Sequence, residues 1–418
     1  MNNKSLIRGI SFFTFFNVIN SSLPFLLLPI LTSYLSPEDY GVVDIFYNTS
    51  LIITPIIGLS IVQSIGRYYF EKIDLPKFIT TIFFILIVTG LLISIISLFF
   101  NFLFNAYLLK HDIPPYLIFL AFIYTLFTQI GEILLVLWRV SYKTMNYGLF
   151  RLSKTALDLG ISILLIVQIN MGWEGRIFSQ LFVAVLFAII AIVLLYKKKY
   201  LIGFIIDEEY RNEALSFSIP LVFHSLGGYI ISFSDRFFIL LMLGISDVGI
   251  YSVAYQIGMI ISLIQNSFNQ AWVPFFFKKL KDGNSKDKYQ IVKITYFYCV
   301  ILILISIIIY FIVPVIYKYF IGEAYTSGSA IVTWVLLGYL FNGMYKMMGN
   351  YLFFLKKTRV IATITLVAGI INMCLNYYLI SLYGIVGAAQ ATAITFLFHF
   401  IFITYYSVKK YEMPWNLK

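Results

Sequence analysis

Twelve stretches of mostly apolar residues, each near or beyond the length that crosses a bilayer as a helix, leave this chain few folds to choose from. They cover residues 10–34, 42–65, 78–104, 115–138, 148–169, 177–196, 215–242, 248–273, 290–317, 329–354, 360–380 and 385–408. The longest polar connections, 197–213 and 275–289, are too short for a soluble domain. Charged residues make up 12% of the 418 and hydrophobic residues 61%, which is about half the charge of an ordinary soluble domain. The expectation is an all-α integral membrane protein with twelve transmembrane helices. The first stretch follows Lys4 and Arg8 as a secretion signal would. It runs past a signal core and lacks a small-residue cleavage site, so it is expected to stay as the first span.

Basic residues orient the spans, because cytoplasmic loops carry the excess of Lys and Arg. Of the 30 such residues, 25 fall on the side that holds both termini, and only Lys110, Arg176 and Lys318 on the other. Both termini are therefore expected to be cytoplasmic. The net charge of +11 then lies beside anionic inner-leaflet lipid, not nucleic acid. Cys299 and Cys374 sit singly in apolar stretches, with no disulfide or metal spacing.

Two motifs recur. Leu35-Ser-Pro-Glu-Asp39-Tyr-Gly41 is echoed by Leu243-Gly-Ile-Ser-Asp247-Val-Gly249, with Leu, Asp and Gly at matching offsets. Met171-Gly-Trp-Glu-Gly175 is echoed by Tyr383-Gly-Ile-Val-Gly387. Two lobes of six helices follow, residues 1–200 and 201–418, and an even span number makes them parallel repeats. In such transporters broken helices mark the transport path. The first span holds Pro24 and Pro29, its counterpart Pro220, Gly227 and Gly228, so these two are expected to bend at a central cavity.

Ionisable residues within spans are costly and tend to mark function. Arg236 and Lys346 lie well inside spans, and Arg151, Lys154 and Asp158 share one helix face at i, i+3 and i+7. One reading makes Arg236, Lys346, Arg151 and Lys154 a cationic lining for an anionic substrate. The other makes them interhelical ion pairs, with Lys154 and Asp158 paired at i, i+4 and Glu132 near the same stripe. Asp235 and Arg236 are adjacent, so at least one is expected to point away from a mutual salt bridge. Asp158 and Asp235 are candidates to bind a coupling proton or sodium ion; no other cofactor and no metal is expected. Asn17, Asn20, Gln265, Asn269 and Asn342 add polar lining, though such amides serve equally as helix–helix hydrogen bonds. There is no phosphate-binding glycine loop with its lysine, and His111, His224 and His399 are scattered, so an enzyme is not expected.

Gly249-Ile-Tyr251-Ser-Val-Ala254-Tyr255-Gln-Ile, Gln270-Ala-Trp272-Val-Pro274-Phe and the Leu35–Gly41 motif resemble the polysaccharide-repeat flippases of the O-antigen and capsule type. That family shares a superfamily with the MATE exporters and the lipid II flippases. The resemblance implies two six-helix lobes in a MATE-like V with a basic central cavity. It implies a bacterial inner-membrane protein that carries an undecaprenyl-diphosphate-linked oligosaccharide to the outer leaflet by alternating access. Polysaccharide polymerase and chain-length proteins would be partners, beside membrane lipids. The competing expectations are an ion-coupled multidrug exporter, which would want carboxylates in its cavity, and an oligosaccharide polymerase, which would want a large outer loop.

Overall fold

Ser36 shows why the first repeated motif is spelled as it is. Its hydroxyl accepts the Asp39 backbone N–H at 3.1 Å while the Asp39 carboxylate accepts the Ser36 N–H at 3.3 Å. With Pro37 in the first turn, this capping box starts a helix sharply. In the echo Gly244 takes the cap position, at φ 119°. Gly172 and Gly384 both adopt φ +59° where a helix begins, a conformation glycine reaches without strain. Their partners Gly175 and Gly387 permit close approach: a Cβ on Gly387 would lie 2.0 Å from the Leu379 carbonyl oxygen, and one on Gly175 3.0 Å from Leu165.

The structure, a computed structural model, describes residues 3–71, 74–203 and 206–416, without the side chains of 3–14 and of scattered helical positions, Gly227 and Gly228 among them. In chain order the helices are α1 (Asn3–Tyr34), α2 (Pro37–Ile53), α3 (Ser64–Tyr68), α4 (Leu75–Lys110), α5 (Tyr116–Val140), α6 (Thr144–Ile163) and α7 (Gly172–Lys197). They continue as α8 (Glu208–Met242), α9 (Ile245–Gly258), α10 (Ile260–Asp282), α11 (Ser285–Phe320), α12 (Ser329–Phe354), α13 (Thr358–Tyr383) and α14 (Ile385–Lys410). A π turn, Leu164–Gln168, ends α6. Among the described residues there is no strand.

Among the described residues, eight helices are long and apolar enough to cross a membrane, or ten if the bent pairs α2–α3 and α9–α10 each count once. Helix α6, which carries Arg151, Lys154 and Asp158, is not among them, and α8 is described only in part.

The chain forms two compact units, Met1–Phe233 and Ser234–Lys418, so the division falls inside α8; the sequence reading places it in the polar linker at 200/201. In the first unit α5 packs against α2, α4 and α7, and α1 lies along α6. In the second, α12 packs against α9, α10, α11 and α14, and α13 lies on α14. Ile95, Phe99 and Phe102 of α4 and Phe297, Leu304 and Phe311 of α11 are exposed. Such rows are unfavourable in water but face hydrocarbon in a bilayer.

The marked breaks lie elsewhere than at Pro24, Pro29 and Pro220. Helix α1 runs unbroken through Pro24 and Pro29, and α8 through Pro220. Thr32 and Ser33 hydroxyls bond the Pro29 carbonyl, as polar side chains do near helix irregularities. Gly227 and Gly228 lie within α8, and their surroundings fall outside the described residues. The bends come one helix later in each unit, 65° between α2 and α3 and 42° between α9 and α10. At the first, Pro55 stops α2 and Gly58, Leu59 and Ser60 take φ values of 73°, 54° and 55°. Two consecutive non-glycine residues in that region are strained.

Beyond α14 the chain folds back over the second unit. Trp415 packs on Tyr351 and Tyr296, and its carbonyl accepts the Tyr296 hydroxyl at 3.0 Å. The Lys288 ammonium reaches the Glu412 carbonyl at 3.3 Å.

Candidate functional site

Each unit gathers its intramembrane charges in one place. In the first, α6 presents Arg151, Lys154, Thr155 and Asp158 to a cavity of about 280 Å³ whose other walls are α1, α2, α5 and α7. Arg151 Nη1 donates to Asn17 Oδ1 and to the Tyr147 hydroxyl, both at 2.8 Å. In the amide orientation that pairs both its ends, Asn20 donates to Thr155 Oγ1 at 2.7 Å and accepts from Arg151 Nη2 at 3.3 Å. The sequence-predicted Asn17, Asn20 and Arg151 thus form one seam between α1 and α6.

Asp158 does not pair with Lys154. Arg176, one helix on, donates from Nη1 to both of its carboxylate oxygens at 2.9 Å, and Ser179 adds a bond at 3.0 Å. Both partners are largely buried, at 12% and 17% side-chain exposure. The i, i+4 expectation fails because α6 and α7 are joined by a short turn, which carries Arg176 back alongside Asp158. The same fact corrects Arg176 from an outer-loop base to a helix residue. Sequence spacing gives little signal for the pair, since Asp158 lies twelve residues before Asn170 and Arg176 only four after Gly172. Tyr47, Tyr124 and Gln180, which also line the cavity, carry no sequence signal that separates them from packing residues.

In the second unit, Asp235 and Arg236 do form a mutual salt bridge, contrary to expectation. Nη1 of Arg236 lies 2.9 Å from Asp235 Oδ1, with side chains 5% and 3% exposed. Adjacent residues diverge on a helix, but the long arginine stem curls back and its head settles on aromatic rings. The guanidinium carbon is 4.1 Å from the Tyr255 ring centroid and 5.2 Å from that of Tyr251. The Tyr251 hydroxyl donates to Asp235 Oδ2. The motif around Tyr251 and Tyr255 therefore neutralises a buried ion pair.

From there bonds lead on to α12 and α10. The Tyr339 hydroxyl bonds that of Tyr255 at 3.1 Å, and Gln265 Nε2 donates to the Tyr339 carbonyl at 2.6 Å. Lys346 donates to Asn266 Oδ1 at 2.8 Å and Gln265 Oε1 at 3.5 Å. Asn269 accepts from Asn350 at 3.2 Å. Asn342 is half-buried one turn before Lys346. No carboxylate within ion-pair distance of Lys346 occurs among the described residues. Asn372 joins Ser234 and Thr395, and accepts from Asn376, tying α8, α13 and α14. Among the described residues no cluster of His, Cys, Asp or Glu could hold a metal ion.

Both carboxylates considered for ion coupling, Asp158 and Asp235, are held by arginine, while Lys346 and Arg151 hydrogen-bond uncharged groups. A basic group so placed can attract an anion.

Comparison with known proteins agrees with a membrane transporter fold. Residues 6–280 match the family described as polysaccharide biosynthesis protein, and residues 220–378 match the MatE family. The chain is 25% identical over 370 residues to an uncharacterized membrane protein of Haemophilus influenzae, covering 86% of each. It is 23% identical over 411 residues to the capsular polysaccharide biosynthesis protein CapF of Staphylococcus aureus, covering 93% of this chain and 96% of the relative. Over 190 residues it is 27% identical to the probable low-salt glycan biosynthesis flippase Agl15 of Haloferax volcanii, covering 44% and 39%. In fold it is similar to the lipid II flippase MurJ in an inward closed conformation, with a TM-score of 0.72 at 16% identity over 96% of this chain and 87% of the other. An inward-facing MATE multidrug transporter gives 0.66 at 14% identity, over 93% and 94%. With a family match over well above half its length, the chain belongs to the polysaccharide biosynthesis protein family.

Proposed function

We propose that the protein flips a lipid-linked glycan, carried on undecaprenyl diphosphate, from the cytoplasmic to the outer leaflet of the bacterial inner membrane. The observation that carries this reading is the state of Lys346. It is a cation on α12, a helix long and apolar enough to cross a membrane, and its hydrogen-bond partners are uncharged amides. A cation kept in that way retains its attraction for a diphosphate. Family membership, CapF and Agl15 support a glycan as cargo, and the fold of MurJ supports a flippase architecture.

An exporter of organic cations, the role that the MATE-like fold would also allow, is less well served. Its cargo would want open carboxylates; Asp158 and Asp235 are each spent on an arginine, and Glu132 shares its cavity with Arg151 and Lys154. With both termini cytoplasmic, the glycan is loaded from the side that builds it and released toward a polymerase and chain-length regulator outside.

The test is deletion of the gene in its host. The expected outcome is loss of the surface polysaccharide with lipid-linked repeat units accumulating in the inner leaflet, restored by the wild-type chain. A deletion strain with normal surface glycan and heightened sensitivity to organic cations overturns the proposal.

A further inference from the structure

The cavity of the first unit offers more than an anion needs. Arg151 and Lys154 supply positive charge, whereas Glu132 supplies acceptors. Asp158 is engaged by Arg176 and Ser179. Among the described residues, the recorded ion pairs include none made by Arg151, Lys154 or Glu132. Two cations against one carboxylate leave the cavity with one excess positive charge.

Three ligand chemistries can be set against those walls. A sodium ion or organic cation would be repelled by Arg151 and Lys154. A phosphate would suit the cations, but an ionised phosphate offers acceptors and almost no donors, so it would lie unfavourably against Glu132. A sugar bearing a carboxylate satisfies both kinds of wall. The acid meets Arg151 and Lys154, hydroxyl groups donate to Glu132, and an apolar ring face can lie on Tyr47 or Tyr124. A volume of about 280 Å³ is below the usual drug-sized pocket, and holds one sugar residue, not a chain of them.

We infer that this cavity is the subsite for a single acidic sugar of the glycan, a carboxylate-bearing pyranose, and not for the diphosphate of its carrier. The inference rests on the lipid-linked-glycan reading above and assigns the cargo a chemical class: at least one of its sugars carries an acid group.

The experiment is thermal melting of the purified full-length protein in nanodiscs, titrated with sodium glucuronate, glucose or sodium pyrophosphate at constant ionic strength. Glucuronate should raise the melting temperature saturably, as any ligand of the folded state does, while glucose should not, and any pyrophosphate shift, arising at Lys346, should survive Lys154→Gln. Lys154→Gln should abolish the glucuronate shift. Absence of a glucuronate shift, an equal shift with glucose, or a pyrophosphate shift that Lys154→Gln removes would each overturn the inference. Because melting involves no transport, these outcomes are independent of the gene-deletion result: normal surface glycan there sinks the flippase reading even where glucuronate binds.

Discussion

The guanidinium of Arg236 rests 4.1 Å from the ring centre of Tyr255 while Nη1 grips Asp235 at 2.9 Å. The two contacts assign this arginine to the fold. Truncating it should strand a carboxylate that is 2% exposed, a change that costs about 3–5 kcal/mol in comparable buried pairs. Arg236→Ala is therefore expected to melt well below wild type in detergent. The double variant Asp235→Asn with Arg236→Met should recover most of the loss, whereas an Ala variant that melts normally would show that the pair contributes nothing to stability.

Lys346 should behave in the opposite way. Its partners are amides, so Lys346→Met leaves no charge unpaired and is expected to melt within a few degrees of wild type. Surface-glycan complementation should fall at least about tenfold, as expected when a charge-assisted contact to phosphate is lost. Full complementation would remove the cation from the transport path.

Asp158 and Arg176 form a measurable couple. In a double-mutant cycle of Asp158→Asn and Arg176→Gln, the coupling free energy from unfolding curves should be about 1.5–3 kcal/mol. If Asp158 serves only this pair, the double variant should still complement. A stable double variant that cannot translocate would instead return Asp158 to the list of ion-coupling groups.

Gly58 and Gly66 make a matched comparison. A Cβ on Gly58, at φ +73°, would lie 2.3 Å from Leu86 Cδ1, whereas one on Gly66 meets nothing within 4 Å. Gly58→Ala should destabilise by about 1–2 kcal/mol from the backbone alone, and Gly66→Ala should be neutral or stabilising by up to about 1 kcal/mol. Equal melting temperatures for the two variants would contradict the geometry of the α2–α3 bend.

Orientation can be read with cysteines. Placed at Met171, Asp247 and Ser381 they should react with an impermeant thiol reagent outside intact cells, and at Asn284 and Lys357 they should not. Labelling at Asn284 would reverse the direction of transport.

Much of the membrane architecture was legible because apolar runs report hydrocarbon directly. The repeated motifs were legible too, although their reasons were not. Ser36 and Asp39 act as a cap, a place taken by Gly244 in the echo, and Gly175 and Gly387 act as contact points, which only the backbone reveals. The marked bends fall at Pro55–Gly58 and at Gly258–Met259, while Pro24, Pro29 and Pro220 lie inside continuous helices. Charge pairing was the least legible. Sequence spacing favours partners on one helix, so Lys154 hid Arg176 as the partner of Asp158. Adjacency likewise hid the Asp235–Arg236 bridge, since the reach of a long side chain is not a property of helical periodicity.

The strap from Tyr411 to Trp415 sets an order of events. Trp415 belongs to the same apolar cluster as Tyr351, Phe276 and Leu302, and its carbonyl is bonded to Tyr296. That cluster is not fully covered until these residues have left the ribosome. The first unit can settle in the bilayer during synthesis, but the second stays open at α10–α12 until residues 411–415 have emerged. A nascent chain stalled before Tyr411 should therefore hold a finished first unit and a protease-sensitive second one.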